Sequence, residues 1–341
     1  MFRRLPLPAS PPPILERFGV RSRAQVARDL GVILGHLPRR DRFAFDLGVA
    51  GFLRPDLSLP AYAGLAPADG IAPIFHYFDR VGGGRGFSTA ITRRRARDFR
   101  GGRLTYDEHD GTDFVCPPGT PLACAAPGVL VAVFDRWLRG GLTACVDHGA
   151  GVVTQYTHLS GMVAEIGQPL ARGETVGLSG FSGIDMTLGF PWVPPHVHFM
   201  VFVRGEPVDP YRAAGEAPRP GAWLHGNDPR TAAEPLADDA KPPRLADLGI
   251  DPAAVDRLVP LCHDPERRAE LERAPSDAAR AALLEDSLHH ERHLWPAQAR
   301  GVALRAGGDP ASVRLTLPLP AASYRAARPV DAPWTRPADP G

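Results

Sequence analysis

Lysine is almost missing from this chain: Lys241 stands alone among 39 basic residues, so arginine carries nearly all the positive charge. That bias, with the excess of Ala, Gly and Pro, fits a GC-rich coding sequence. Neither sign of charge is in surplus. A formal net charge of +1 gives no field that would favour nucleic acid or an anionic membrane as partner. Long apolar runs are absent too, and no stretch approaches the ~20 residues needed to cross a bilayer, so no transmembrane segment is expected. The basic opening Met-Phe-Arg-Arg is not followed by a continuous apolar segment, and no secretory signal is visible. Four cysteines, Cys116, Cys124, Cys145 and Cys262, are too few to build a disulfide scaffold in 341 residues. None sits in a Cys-x-x-Cys pair. They read as buried small hydrophobes, with one disulfide among the first three left open for an oxidising compartment.

What is plentiful is proline and glycine, 38 and 36 residues, which excludes a compact all-helical protein and calls for many turns and edge strands. Residues 1–100 read as an irregular N-terminal accessory region. Ser22 and Gln25 make a capping-box pattern ahead of Val26, Leu30, Ile33, Leu34 and Leu37, which predicts a helix near 23–37. The basic run Arg93, Arg94, Arg95 and Arg97 reads as a solvated face. From 103 to 212 short β-rich segments recur between turns: Val129–Phe134, Leu142–Asp147, Val152–His158, Glu174–Leu178 and Val197–Val203. That rhythm predicts an all-β, antiparallel core. Residues 213–245, rich in Pro, Ala and charge, read as a linker. Residues 246–325 read as a helical region, with Asp251-Pro252 capping one helix and Ser276 opening a second. A strand is expected at Ser312–Leu317, and 326–341 reads as a disordered tail. The fold class expected is therefore α+β, a sheet core between an irregular N-terminal region and a helical C-terminal one.

The chemistry concentrates in His109-Asp-Gly-Thr-Asp113, in His158 and in His196-Val-His198. These are the ingredients of a zinc site with three protein ligands and one position left for water. His109, Asp113 and His198 fit that count, leaving His158 and His196 as candidate proton-transfer groups. In a straight strand His109 and Asp113 would lie roughly 13 Å apart, too far to share a metal. The Asp110-Gly111 pair between them is a turn signal that would fold the chain back. His196 and His198 share one face of a strand, about 6.6 Å apart at their bases, so one can bind metal while the other stands beside it.

The region resembles the lysostaphin or LytM-type zinc metallopeptidases. Their pattern of His-x-Gly-x-Asp, Tyr-x-His-Leu and His-x-His is present as His109 to Asp113, Tyr156-Thr-His158-Leu159 and His196-Val-His198. Connecting text matches as well, in Pro118-Gly119-Thr120-Pro121, Asp147-His148-Gly149, Ile166-Gly167-Gln168 and Pro207-Val208-Asp209-Pro210. The resemblance covers about 110 of the 341 residues. It implies a LytM-like sheet with a duplicated hybrid motif, and one zinc ion per chain held by His109, Asp113 and His198. It also implies catalytic roles for His158 and His196, and peptide bonds of bacterial peptidoglycan as substrate. Cell envelope or secreted is the implied location, against the missing signal.

One departure is the twelve-residue stretch between Gly183 and His196, where the resemblance leads one to expect about half as many. Its prolines and aromatics suggest a groove wall, or a dock for another part of the chain. His148 and Tyr156 are read as structural. In the cluster His289, His290, Glu291, His293 two histidines at i and i+4 on a helix could hold a metal, but the spacing is not His-Glu-x-x-His and a solvated helix face is the better reading. Three rival readings remain. A non-catalytic regulator of cell-wall amidases would have substituted ligands, and none is substituted here. A lipoyl- or biotinyl-type carrier needs a lysine in the hairpin at 167–177, which has none. A zinc peptidase of the same fold could act on a peptide other than peptidoglycan.

Overall fold

The apolar segments foreseen between 128 and 203 form the middle of one large sheet in the computed structural model, which describes residues 2–6, 12–17, 20, 22–24, 26–27, 47–82, 95–136, 140–232, 235–237 and 239–331. Ahead of it lie β1 (Phe2–Arg4), α1 (Ile14–Arg17), α2 (Pro55–Tyr62) and β2 (Leu65–Pro67), β1 pairing with β2. The sheet contains β3 (Ile71–His76), β4 (Thr112–Val115), β5 (Pro121–Ala123), β6 (Gly128–Arg136), β7 (Gly141–Asp147), β8 (Val152–Met162), β9 (Pro169–Leu170) and β10 (Thr175–Ser179). It continues with β11 (His196–Val203) and β12 (Glu206–Pro207), and closes with β13 (Ala326–Pro329). Its main path runs β13-β3-β4-β11-β8-β7-β6-β9, while β10 bridges β8 to β5. Every pairing is antiparallel except that of β13 with β3.

The central strands β6, β7, β8 and β11 bury successive residues because both faces of the sheet are covered. Leu130, Leu142, Ala144, Val146, Tyr156, Phe199 and Val201 point into a core shared with Leu122, Val176, Trp223 and Leu315. Their alternates Val129, Val131, Cys145, Val153, Met200 and Phe202 point the other way. There they meet α4 (Pro252–Leu258), α5 (Pro265–Arg273) and α6 (Asp277–His290) through Val255, Leu258, Leu271, Ala281 and Leu284. The C-terminal helices are thus a layer of the same core. Their starts are local in origin. Asp251, Asp264 and Ser276 each accept a hydrogen bond from the backbone N–H three residues on, and prolines occupy the first turn of α4 and α5. Charge ties the layers as well. The fully buried Arg305 holds Asp147 at the end of β7 and Glu285 on α6, and Arg136 on β6 reaches Asp286 on α6.

Several expectations need correction. The stretch 213–245 is no free linker, because Trp223 is buried against Phe199 and Phe114. Ser312–Leu317 is not a strand: a short 3-10 turn covers Pro310–Ser312, and Leu315 makes only an isolated bridge to Trp223. The tail begins with β13, whose weak Ala-Ala-Arg-Pro sequence is recruited by the open edge of β3; 332–341 lie outside the described residues, as do Arg93 and Arg94. Of the helix expected near 23–37, residues 23, 24, 26 and 27 are described, with the Val26 N–H bonded to the Ser22 carbonyl; the rest of that expectation falls outside the described residues. All four cysteines are free and buried.

Candidate metal centre

Strand register builds the site. His76 of β3 pairs with Asp113 of β4, Asp113 with His198 of β11, and His198 with Thr157 of β8, so four neighbouring strands put these positions at one level. The next residue of β8, His158, has φ of 61°, in the left-handed region that a histidine rarely enters. The β7 to β8 register slips at the same place, between Leu142 and Ala144. This bulge turns His158 onto the histidine face, 4.9 Å from the ring of His196 and 6.1 Å from that of His198.

His109 reaches the cluster from a loop. The reversal falls at Tyr106–His109, with the His109 N–H bonded to the Tyr106 carbonyl and Glu108 at φ 62°, one step before the turn expected at Asp110-Gly111. Buried Asp79 pins this loop, accepting from the backbone N–H groups of Val81, Gly82, Arg97 and Glu108. Gly111 serves close approach instead. A Cβ there would sit 2.7 Å from the Phe199 carbonyl and 2.8 Å from Cε1 of His198.

Three atoms converge. Nε2 of His109 lies 3.2 Å from Oδ1 of Asp113 and 3.1 Å from Nδ1 of His198, and Nδ1 of His198 lies 2.8 Å from the same carboxylate oxygen. The remaining atoms of each group have partners elsewhere. Nδ1 of His109 donates to the Tyr77 carbonyl at 2.6 Å, Nε2 of His198 faces Asp110 at 3.1 Å, and Oδ2 of Asp113 accepts from Nδ1 of His76 at 3.0 Å. Two imidazole lone pairs and a carboxylate oxygen therefore face one another in a site that is nearly all buried. Such a set repels itself unless a cation or protons sit between its members, and the donor types and outer partners suit zinc. Protons are the metal-free solution. Burial works against a charged His198, but hydrogen bonds to Asp110 and Asp113 outweigh it and raise its pKa to about 10. Burial likewise opposes ionisation of Asp113, and the surrounding histidines nevertheless hold its pKa well below the usual range.

His158 and His196 stand beside this set with a shared design. Nδ1 of His158 donates to the Ser182 carbonyl at 2.7 Å and Nδ1 of His196 to the Pro194 carbonyl at 2.8 Å, which leaves each Nε2 as the proton acceptor. Nε2 of His196 is 3.7 Å from Asp113. The stretch 184–195 forms α3 (Ile184–Gly189) and then docks on the N-terminal region. Phe190 packs on Tyr62, and the Trp192 carbonyl accepts from the Arg54 N–H. Leu188, Phe190 and Trp192 nevertheless stay substantially exposed.

All five histidine and aspartate positions singled out in the sequence meet here. Sequence reasoning missed His76, Asp110, His289 and His290. His289 and His290, expected on a solvated face, are buried against Asp110, with Nε2 atoms 3.3 and 2.6 Å from its Oδ2. His148 is structural as read, with Nδ1 on the Pro127 carbonyl and Nε2 on the Thr154 hydroxyl. Tyr156 is a core residue whose hydroxyl accepts from the Ala125 N–H.

The sequence profile described as peptidase family M23 matches residues 107–210. The peptidoglycan DD-endopeptidase ShyA of Vibrio cholerae is 37% identical over 105 residues, which are 31% of this chain and 23% of that protein. The DD-carboxypeptidase/endopeptidase Mpg of Neisseria meningitidis is 31% identical over 116 residues, 33% of this chain and 24% of that protein. The matched segment thus spans about a quarter of these relatives' length. Among solved structures, the catalytic domain of the antimicrobial peptidase lysostaphin from Staphylococcus simulans is 27% identical. That match covers 30% of this chain and 75% of the other, at a TM-score of 0.26. His76, His289 and His290 lie outside the matched segment. Among the described residues no helix is long and apolar enough to cross a membrane.

Proposed function

From the premise that residues 107–210 belong to peptidase family M23, we propose that this chain is a zinc-dependent metalloendopeptidase that cleaves peptide bonds of bacterial peptidoglycan. The observation that carries the reading is the convergence of Nε2 of His109, Oδ1 of Asp113 and Nδ1 of His198, each with its other polar atom already engaged. Zinc bound there would supply Lewis acidity and lower the pKa of a coordinated water.

The chain's own groups do the rest. His158 and His196 are fixed by carbonyls at Nδ1, so each offers an Nε2 lone pair to a proton coming from the water side. The ring that takes the proton becomes a donor at Nε2. It can then hydrogen-bond developing negative charge on the attacked carbonyl oxygen or return the proton to the leaving nitrogen. His76 holds Asp113 from behind, and Tyr77 and Asp110 hold the two ligand rings, so the set is oriented before substrate arrives. The substrate class is supported by the names of the curated relatives.

Digestion of purified peptidoglycan, with the cleaved bond identified by mass, tests the reading alongside metal content. His198→Ala should lose the metal held by this set. His158→Ala should keep it and lose hydrolysis. A fully active His158→Ala protein, or a wild-type chain that digests peptidoglycan equally well when stripped of metal, overturns the assignment.

A further inference from the structure

The geometry points to a second cation site next to the first, made by Asp110, His289 and His290, which would take a divalent ion of the zinc class. Their ligand atoms lie within 4.8 Å of one another. Asp110 and His289 are buried, and the His290 side chain is 2% exposed. The two rings come from the last two residues of α6 and stand 4.3 Å apart, centre to centre. Both aim Nε2 at one oxygen, Oδ2 of Asp110.

Hydrogen-bond accounting at His290 carries the inference. Its Nδ1 faces only acceptors, the Asp286 carbonyl at 3.0 Å and the Asp286 carboxylate at 3.2 Å, so Nδ1 bears the hydrogen. A ring that carries only this hydrogen has a lone pair at Nε2, and that lone pair points at another acceptor 2.6 Å away. A cation between Nε2 and Oδ2 resolves the conflict. The same accounting describes His109, whose Nδ1 donates to a carbonyl while Nε2 joins the first site. The carboxylates repeat each other too. Asp113 gives Oδ1 to the first site and Oδ2 to His76, and Asp110 gives Oδ2 to the second site and Oδ1 to His198. Ligating histidines with the distal nitrogen tied to a carbonyl or carboxylate are the usual pattern of zinc sites. Two imidazoles and one carboxylate also match the donors that zinc takes.

The second ion would fasten the end of α6 to the loop that carries His109, joining the helical layer to the first site through Asp110. This inference stands apart from the catalytic reading, because it needs only that the three groups bind metal.

The full chain is stripped with chelator, reloaded with Zn2+, desalted and assayed by elemental analysis. Two equivalents per chain are expected. His289→Asn with His290→Gln should leave one, and His109→Ala with His198→Ala should remove the other. A single equivalent in the wild type that the His289→Asn, His290→Gln chain retains in full means that His290 is instead an imidazolium clamped on Asp110, and it overturns the second site. Two equivalents persisting in the His289→Asn, His290→Gln chain overturn it equally. Unchanged metal in the His109→Ala, His198→Ala chain would instead sink the first site. Should the helix variants fail to fold, Co2+ titration of the metal-free wild type decides. Two successive changes in the visible spectrum support the second site, and one endpoint at a single equivalent refutes it.

Discussion

Replacing Arg305 by Met should destabilise the protein far more than an ordinary surface change. Arg305 is 3% exposed, and its guanidinium is bonded by Nε to both Glu285 oxygens, at 2.8 and 3.0 Å, and by Nη1 to Asp147. Methionine fills most of the volume and leaves Asp147 and Glu285, 0% and 5% exposed, as buried carboxylates without a cation. Removing one partner of a buried ion pair costs about 3–5 kcal/mol. With a urea dependence of about 3 kcal/mol per M for a chain of this size, the unfolding midpoint should fall by roughly 1–1.7 M. Burial already raises the Glu285 pKa while Arg305 opposes the rise, so in the variant it climbs further. A folded-state pKa above the unfolded one adds stability as pH falls below it, so the loss should shrink between pH 7.5 and pH 5. Adding Asp147→Leu and Glu285→Leu should recover most of the stability, because an apolar trio in place of buried charges is close to neutral. A midpoint shift below roughly 0.3 M for Arg305→Met, where 3–5 kcal/mol is due, or a triple variant no better than the single one, would refute the reasoning.

Three further outcomes follow from the site and its supports. His76→Ala should weaken zinc binding at the first site about 10- to 100-fold in chelator competition, since Asp113 loses its outer partner; unchanged affinity would show His76 to be mere packing. Burial lowers the His148 pKa from 6.5 to about 4, so the unfolded chain takes up a proton there before the folded one does. Stability should then fall by about 3 kcal/mol as pH drops from 6.5 to 4, from this residue alone, and His148→Gln should flatten that part of the urea-midpoint curve; superimposable slopes would count against it. Gly141 has φ of 63°, and a Cβ there would collide with Ser182, whose carbonyl holds His158. Gly141→Ala should keep its metal and lose on the order of 100-fold in kcat through a misplaced His158, an idea that unaltered turnover would end.

The first-site residues were legible because each sits in a short motif whose strand or turn context is local. The central strands were legible too, as apolar segments between glycine and proline turns. What escaped was contact across sequence distance. Nothing near Asp110 signals that His289 and His290, 179 and 180 residues later, close on it, and a His-His pair at a helix end looks solvated until the helix is placed. His76 hid in the apolar run of β3 for the same reason. The role of 246–325 as a layer on the sheet could have been suspected from β6, whose residues Gly128 to Phe134 are apolar at every position and so call for cover on both faces. β13 had no signal of its own, because its pairing is dictated by the neighbour.

The pairing of Asp113 on β4 with His198 on β11 would make a metal held by the proposed set a proofreader of that strand pairing. Slipping β4 against β11 by a single residue sends Asp113 or His198 to the far face of the sheet, so a chain misregistered there could not assemble the proposed ligand set. Metal uptake at the proposed site would then select the correctly zipped molecules from the slipped ones, each tenfold rise in free metal above the dissociation constant deepening that preference by about 1.4 kcal/mol. Availability of the ion during folding would thus govern how many chains reach the right pairing, apart from any part it plays afterwards.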